Sequence, residues 1–505
     1  MKQTFLLQPK IEKDLTITAP QRKSMFADAS SKKGVTRRGF LTVAVSAIVA
    51  GVVAGVGSYY AGSSAAPVKE VTTTLERTVR ETVTTTLAPG APVTTTVTTT
   101  ITPPPVTTTV TRTVTEPTKP LLEGQVIKVG HVQSLTGALA TFGERMKRGL
   151  DLAVEVINAA GGILGGRLEV VVEDDKGDPK ISSSATEKLV TVDNVLAVLG
   201  GFSSSCTATA TTVTEKYKVP FLHTGGVAEF LMERGFKYEF RINRAARVFA
   251  IAGFTFVERV LKPPKSVFII HEDSAMGTDM AERSAAFVNE RGWKLLGVEK
   301  YNAAATIDFT PIALKLKAAE PEMIVLHAYF LDAVKLLEQS KDIYQPKWWI
   351  ALGGAGLVLP DVIEKLGPIA EGIFTVSEWA NDWPIPEVQE FVTKFRAKYG
   401  YDPVMWEALA YSATLTLAEA IRRAAESGPL TRESLRDSLA RLNFVLPVWG
   451  PIKFDEKGAN PDYYTVSLVP YHQVQRGKWV TVWTGVTGYP RAAEPNLTPY
   501  NQIPK

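Results

Sequence analysis

From Gln125 onward, short apolar runs alternate with amphipathic stretches. Residues 126–130 predict a strand, and residues 144–160 predict a helix because Leu150, Ala153 and Ile157 recur on one helical face. The pair Gly161-Gly162 ends this helix. The same pattern predicts strands at 168–172, 195–199 and 221–223, with helices near 182–190 and 207–216 between them.

The second half of this region repeats the alternation. It predicts strands at 266–271, 323–327 and 348–352, with helices near 279–290, 311–319 and 332–340. Such alternation is typical of parallel sheets covered by helices on both faces. We therefore predict an α/β protein with two doubly wound lobes, in the blocks 125–245 and 265–372. Open sheets of this kind bind ligands at the carboxyl ends of their strands, so two facing lobes predict a cleft that closes around a small ligand.

The N-terminal part predicts an export signal. Residues 1–38 are polar and basic, and Arg37 and Arg38 stand before the uncharged segment 39–61. About 20 apolar residues span a bilayer, and the basic flank stays in the cytoplasm. The motif Thr36-Arg37-Arg38-Gly39-Phe40-Leu41 resembles a twin-arginine export signal, and a plain signal anchor is the alternative. We expect the chain to act outside the cytoplasmic membrane, either anchored there or released by cleavage near 63–66.

Residues 62–122 predict a stalk. Thr dominates this segment together with Val and Pro, a composition that cannot bury a core and is expected to stay disordered and extended. Ser/Thr-rich sequence with Pro is typical of an O-glycosylated spacer. The alternative is a β-aggregating segment, against which the Pro103-Pro104-Pro105 cluster argues. The stalk would hold a binding domain away from the bilayer.

The composition narrows the classes of function. The chain has 505 residues, a formal net charge of +4 and a single cysteine, Cys206. An intrachain disulfide is thereby excluded, and no nucleic-acid partner is indicated. The five histidines form no close pair, so we predict no metal and no cofactor. No nucleophile, zinc or phosphate-binding motif of the usual enzymes occurs, so we do not expect an enzyme.

An ordered series of short motifs carries a family resemblance. The motifs are Ser134-Leu135-Thr136-Gly137-Ala138, Asn158-Ala159-Ala160-Gly161-Gly162-Ile163, Glu173-Asp174-Asp175, Leu199-Gly200-Gly201-Phe202-Ser203-Ser204-Ser205 and Gly450-Pro451-Ile452-Lys453-Phe454-Asp455. From Val126 to about Trp483 the chain resembles the leucine/isoleucine/valine-binding family of periplasmic-type solute-binding proteins, which serve ABC transporters. The resemblance implies a type I periplasmic binding fold with crossovers near Asn243, Thr375 and Gly450. Lobe 1 would comprise 123–244 plus 376–449, and lobe 2 would comprise 245–375 plus 450–488, with a polar tail at 489–505.

The resemblance also implies ligand-binding positions. Ser204, between Ser203 and Ser205, corresponds to a serine that binds the amino-acid carboxylate, although simple capping of the helix near Thr207 is the alternative. The remaining positions are Gly225 and Gly226 for backbone contacts, Val227 where the family has a hydroxyl, and Phe142, Met276 and Tyr329 as walls of the pocket. Tyr329 could instead be an ordinary tyrosine at a strand end.

The chain departs from the family at the ammonium position. The family places an acid there, but this chain has Gly353 within Leu352-Gly353-Gly354-Ala355-Gly356. A buried ammonium without a partner is costly. Either Glu378, Asp382 or Glu272 substitutes, each of which could also be a solvated surface carboxylate, or the ligand has no ammonium. We expect a small, partly apolar ligand with an anionic or amide end, and branched-chain amino acids are the default.

The expected partners are a permease and ATPase subunits on separate chains, and the family implies a monomer. The alternatives are a membrane-anchored sensor, for which 1–38 is too short to hold a signalling enzyme, and a glycosylated surface protein without a transport role. The anchor and Thr-rich stalk resemble those of archaeal surface proteins. The tail carries one glycosylation sequon, Asn496-Leu497-Thr498.

Overall fold

The computed structural model describes residues 121–353, 357–460, 469–484 and 493–504. It also describes two short strands, Thr74–Leu75 and Thr96–Val97, which pair in parallel within a separate unit, Met1–Glu116. The predicted export signal, the apolar segment 39–61 and most of the predicted stalk lie outside these residues. No helix in the described ranges is long and apolar enough to cross a bilayer.

The first lobe is built on a five-stranded parallel sheet of order β2-β1-β3-β4-β5. Its strands are β1 Val126–Gln133, β2 Arg167–Asp174, β3 Val198–Gly200, β4 Phe221–His223 and β5 Glu239–Arg241. The intervening helices are α1 Ala140–Ala159, α2 Pro179–Thr191, α3 Ser204–Lys216 and the 3-10 turn Glu229–Glu233. Helix α3 begins earlier than the predicted 207 because the Ser203 side chain caps it, accepting from the backbone N–H of Cys206.

The second lobe is built on a seven-stranded sheet of order β14-β13-β10-β9-β8-β6-β7. Its strands are β6 Ser266–Glu272, β7 Lys294–Tyr301, β8 Met323–His327, β9 Trp348–Ala351, β10 Phe374–Val376, β13 Tyr471–Gln475 and β14 Lys478–Trp483. Strands β6 to β10 are parallel to one another. Strand β13 pairs antiparallel with β10, and β14 pairs antiparallel with β13. The helices are α4 Ala246–Phe256 with the π-helical turn Val257–Leu261, α5 Ala275–Glu290, α6 Thr310–Ala319, α7 Phe330–Ser340, α8 Pro360–Leu366 and the 3-10 turn Gly367–Ala370.

After β10 the chain returns to the first lobe. This segment forms α9 Pro386–Tyr399, α10 Met405–Ser427, α11 Arg432–Ala440 and the antiparallel hairpin of β11 Asn443–Leu446 and β12 Gly450–Lys453. Helix α10 packs along α1 so closely that a Cβ on Gly149 would lie 2.1 Å from the carbonyl oxygen of Glu407. The last described turn is the 3-10 turn Tyr500–Gln502. The predicted two-lobed α/β architecture is confirmed.

The third passage between the lobes differs from the prediction. Residues 458–460, which we predicted to belong to the second lobe, lie beside β5 of the first. The backbone N–H of Arg241 donates to the carbonyl of Gly458 at 2.9 Å, and Arg241 forms a parallel bridge with Ala459. The chain is therefore still beside the first sheet at Asn460, beyond the crossover predicted near Gly450. The segment after the hairpin has the composition of a loop, and only the contact of Gly458 and Ala459 with Arg241 of β5 reveals its lobe.

Candidate functional site

Aromatic rings from both lobes meet at the carboxyl ends of the strands. In the first lobe, Phe142 of α1 and Phe202 after β3 stack with their ring centroids 4.6 Å apart. Tyr329, which follows β8 in the second lobe, lies 6.3 Å from Phe142 and 5.9 Å from Phe202 between ring centroids. The two lobes therefore touch at an apolar wall, and the structure is that of a closed cleft.

Trp406 belongs to the same aromatic cluster and was not predicted. Its ring packs edge-on against Phe142 at 5.6 Å and Phe202 at 5.1 Å, and only 2% of the residue is exposed. It stands at the start of α10, on the segment that returns from the second lobe. Nothing in the local sequence singles it out, because its neighbours in the cluster lie far away along the chain.

The serines after β3 stand at the N-terminus of α3. Ser203 is 5% exposed and Ser204 is 2% exposed, whereas Ser205 is half-buried. The Ser204 hydroxyl accepts from the backbone N–H of Ala228 at 3.2 Å, while Ser203 makes the capping contact. Ser203 is therefore the capping residue, and the hydrogen bond of Ser204 connects the start of α3 to the loop after β4. A helix N-terminus carries partial positive charge and unpaired N–H groups, which suit an anion.

The loop after β4 packs tightly against these serines. A Cβ on Gly225 would lie 2.6 Å from the Cα of Phe202, so only glycine fits at this position. The backbone N–H of Gly226 donates to the carbonyl of Gly201 at 3.2 Å. The carbonyl of Val227 accepts from the N–H of Ala246 at 2.9 Å, and the Val227 side chain is buried. The loop thus links the candidate serines to the first crossover.

The second lobe presents the start of α5 to the same region. The Ser274 hydroxyl caps α5 by accepting from the backbone N–H of Met276 at 3.2 Å, and Met276 is buried. Burial raises the pKa of Tyr329, while hydrogen bonds with the side chains of Ser274 and Ser203 oppose this shift. The side chains that oppose the shift are the capping serines of two helices, α3 in the first lobe and α5 in the second.

The three candidate acids have different surroundings. Glu272 lies under the start of α5, where its carboxylate accepts from the hydroxyl of Ser274 at 2.6 Å and the backbone N–H of Gly277 at 2.7 Å. Burial raises the pKa of Glu272, and these hydrogen bonds oppose the shift. Asp382 is exposed, accepts from the Thr481 hydroxyl at 2.8 Å, and lines a separate cavity of about 340 Å³. Glu272 alone adjoins Met276 and Tyr329.

Glu378 belongs to the hinge, the set of crossovers between the lobes, rather than to the cleft wall. Its carboxylate accepts from the backbone N–H of Arg244 at 2.8 Å and lies 3.5 Å from the Arg244 guanidinium, which covers the Trp449 ring at 4.9 Å. Burial raises the pKa of Glu378 to about 7 against the pull of Arg244. Arg244 and Glu378 come from the first and second crossovers and Trp449 from the hairpin turn of the first lobe, so the cluster ties two crossovers to the first lobe.

Gly353 lies at the end of β9 with a φ of +93°, a conformation that favours glycine. A Cβ there would lie 3.4 Å from the Cε of Met280 in α5. Residues 354–356 lie outside the described part of the chain. The backbone conformation of Gly353, which we predicted to occupy the family's acid position, therefore favours glycine.

Comparisons with known proteins agree with this architecture. A model of the family described as periplasmic binding protein matches residues 126–469. Leu/Ile/Val-binding protein homolog 7 of Brucella abortus is 29% identical over 379 residues, covering 71% of this chain and 91% of the relative. Homolog 8 of the same organism is 29% identical over 288 residues, covering 55% of this chain and 71% of the relative.

Solved structures show the same fold. The substrate-binding protein LivJ of Streptococcus pneumoniae, solved with isoleucine, is 26% identical with a TM-score of 0.62, covering 70% of this chain and 98% of that one. A Rhodopseudomonas palustris solute-binding protein, solved with benzoate, is 19% identical with a TM-score of 0.63, covering 71% of this chain and 95% of that one. The resemblance seen in the sequence is confirmed, and the chain belongs to the periplasmic binding protein family.

Proposed function

We propose that this chain is an extracellular solute-binding protein that captures a small ligand between its lobes and delivers it to an ABC importer. The observation that carries the proposal is the aromatic contact of Phe142 and Phe202 with Tyr329 across the cleft, where Phe202 directly precedes the capping residue of α3. A ligand bound there contacts both lobes at once, so binding favours the closed state. A permease with ATPase subunits would recognise that state.

The proposed ligand has a carboxylate or amide end and an apolar body. Ser204 and the N–H groups at the start of α3 would hold the polar end. Phe142, Met276 and Tyr329 would enclose the apolar end, with Gly225 admitting close backbone approach. Branched-chain amino acids fit this description, and the related pneumococcal protein was solved with isoleucine.

The ammonium of an amino acid would need Glu272, because Glu378 is engaged in the hinge and Asp382 lies at a separate cavity. Glu272 adjoins the pocket, but its carboxylate already accepts from Ser274 and Gly277. A carboxylate or amide without an ammonium avoids this conflict and is the second candidate ligand. The related R. palustris protein was solved with such a ligand, benzoate.

The N-terminal part is proposed to place this domain at the cell surface. Arg37 and Arg38 would direct twin-arginine export, 39–61 would anchor the chain or be cleaved, and 62–122 would act as a spacer. The protein would act as a monomer. Protease protection of intact cells, with and without Arg37→Lys and Arg38→Lys substitutions, tests the route: export that persists in the double variant would contradict it.

A thermal-shift screen of the full chain tests the ligand. The panel holds amino acids, amides, carboxylates, short peptides, sugars and nucleosides. A ligand at a hundred times its dissociation constant adds about 2.7 kcal/mol of stability, which is readily detected. Stabilisation by Leu, Ile or Val supports an amino-acid site that uses Glu272, whereas stabilisation by carboxylates or amides alone supports the ammonium-free ligand. Stabilisation only by sugars or nucleosides would contradict the proposed chemistry.

A further inference from the structure

Arg145 is held in a fixed position by the first lobe. On α1, its guanidinium binds the carboxylate of Glu407 on α10 at 2.8 Å and lies 5.1 Å from the centre of the Tyr401 ring. The Glu407 carboxylate is fully buried and also accepts from the backbone N–H of Val404 at 3.0 Å and the hydroxyl of Tyr401 at 3.2 Å. These contacts orient Arg145 without help from the second lobe.

The same guanidinium reaches the second lobe. Its other terminal nitrogen lies 2.7 Å from a carboxylate oxygen of Asp361, in the first turn of α8. Helix α8 belongs to the second lobe, because the indole N–H of Trp479 on β14 donates to the carbonyl of Leu359 at its start. The side chain of Arg145 is 12% exposed and that of Asp361 is 34% exposed, so this ion pair is partly shielded from water. One side chain thus spans both lobes.

The pair is adjacent to the candidate pocket along both helices of the first lobe. Phe142 stands three residues before Arg145 on α1, and Trp406 immediately precedes Glu407 on α10. The rings of Phe142 and Trp406 touch at the cleft, 5.6 Å apart between centroids. The ion pair therefore lies within about one helical turn of the rings that line the candidate pocket.

We infer that Arg145 and Asp361 form an inter-lobe latch that stabilises the closed state and slows ligand release. The inference rests on the proposed capture of a ligand between the lobes. Hinge closure brings Asp361 to a guanidinium that is already oriented, so little side-chain freedom is lost when the pair forms. Arg145 and Asp361 are thus positioning residues, which act on affinity without touching the ligand. A second polar contact across the lobes, between the Asp279 carboxylate and the backbone N–H of Glu229 at 3.1 Å, can act beside them.

The test uses the full chain with Asp361→Asn and Asp361→Lys, which leave the buried Arg145–Glu407 contact in place. Glu299→Gln is the matched control, because Glu299 pairs with Lys315 at 2.6 Å within the second lobe. Dyes on Lys180→Cys and Lys317→Cys, at exposed positions of the two lobes, report the inter-lobe distance by single-molecule FRET. The probe ligand is isoleucine, with benzoate used in its place if only carboxylates stabilise the chain in the thermal-shift screen.

We expect Asp361→Asn to raise the dissociation rate about fivefold at low salt, with a larger rise for Asp361→Lys and none for Glu299→Gln. The difference from wild type should shrink as salt screens the pair. Without ligand, both Asp361 variants should shift the FRET distribution towards longer inter-lobe distances. This readout is independent of the ligand, so the latch can be judged even if the proposed ligand class fails. FRET distributions and release rates that match the wild type at low salt would overturn the latch.

Discussion

Ser204 is the residue on which the proposed ligand chemistry depends most. It is almost fully buried, it begins α3, and its hydroxyl accepts from the N–H of Ala228. Its neighbour Ser203 supplies the helix cap, so the hydroxyl of Ser204 remains able to donate to a ligand oxygen. The structure thereby assigns helix capping to Ser203, whereas the run of three serines in the sequence does not show which serine caps the helix.

Replacing Ser204 with Ala should weaken ligand binding by about 10- to 100-fold, because a hydrogen bond to a charged group contributes about 1.5–3 kcal/mol. Isothermal titration with the compound that stabilises the chain measures the loss. Ser184→Ala is the matched control, since the Ser184 hydroxyl bonds only carbonyls of its own helix turn. Equal affinities of the Ser204 and Ser184 variants would show that Ser204 does not bind the carboxylate of the ligand.

At the scale of elements, the contact between α1 and α10 decides how the first lobe is assembled. Gly149 on α1 faces the carbonyl of Glu407, and Gly143 on the same helix faces the carbonyl of Ser134, which a Cβ would approach to 1.9 Å. Both glycines are buried within a helix, where glycine is intrinsically less favourable than alanine. Their presence shows that close packing of α1 against neighbouring backbone outweighs helix propensity here.

Gly149→Ala should therefore destabilise the chain by about 2–3 kcal/mol, although the same change at an open helix position stabilises by up to about 1 kcal/mol. The added methyl group must push α1 away from the backbone of α10. Urea unfolding measures the difference, and Glu144→Ala, at an exposed site of the same helix, should change stability by less than about 0.5 kcal/mol. A stabilised Gly149 variant would show that the helices can separate without cost.

Across the whole molecule, all five histidines are buried: His131, His223, His271, His327 and His472. Burial lowers the pKa of each below its ordinary value, to about 4 for His131 and His472 and to about 3 for His327. As the pH falls through about 6.5, these histidines bind protons in the unfolded chain but remain neutral in the folded chain. The stability that these groups contribute is therefore present above pH 6.5 and is lost as the pH falls towards 4. Glu378, whose pKa is raised to about 7, has the opposite effect, because its contribution is lost as the pH rises through 7.

His131→Gln isolates one of these contributions. Between pH 7 and pH 4 the wild-type chain should lose roughly 2–3 kcal/mol more stability than the variant, because the variant lacks a group with a lowered pKa. Urea unfolding at a series of pH values gives both curves. Curves that stay parallel over this range would mean that the folded chain protonates His131 as readily as the unfolded chain does.

The amino-acid sequence alone determined most of the alternation of strands and helices between residues 126 and 352 and the two-lobed class, because periodicity, capping residues and turn glycines act over a few neighbouring positions. Its ordered motifs indicated the family. The strands Glu239–Arg241 and Lys294–Tyr301 were not predicted. Tertiary structure decided which distant groups meet. Trp406 joins the aromatic cluster, Asp361 reaches Arg145, and Ala459 pairs with Arg241 of β5, all through contacts between residues far apart in the chain. It also decided which carboxylates are engaged, because burial and hydrogen bonding depend on packed neighbours rather than on residue type.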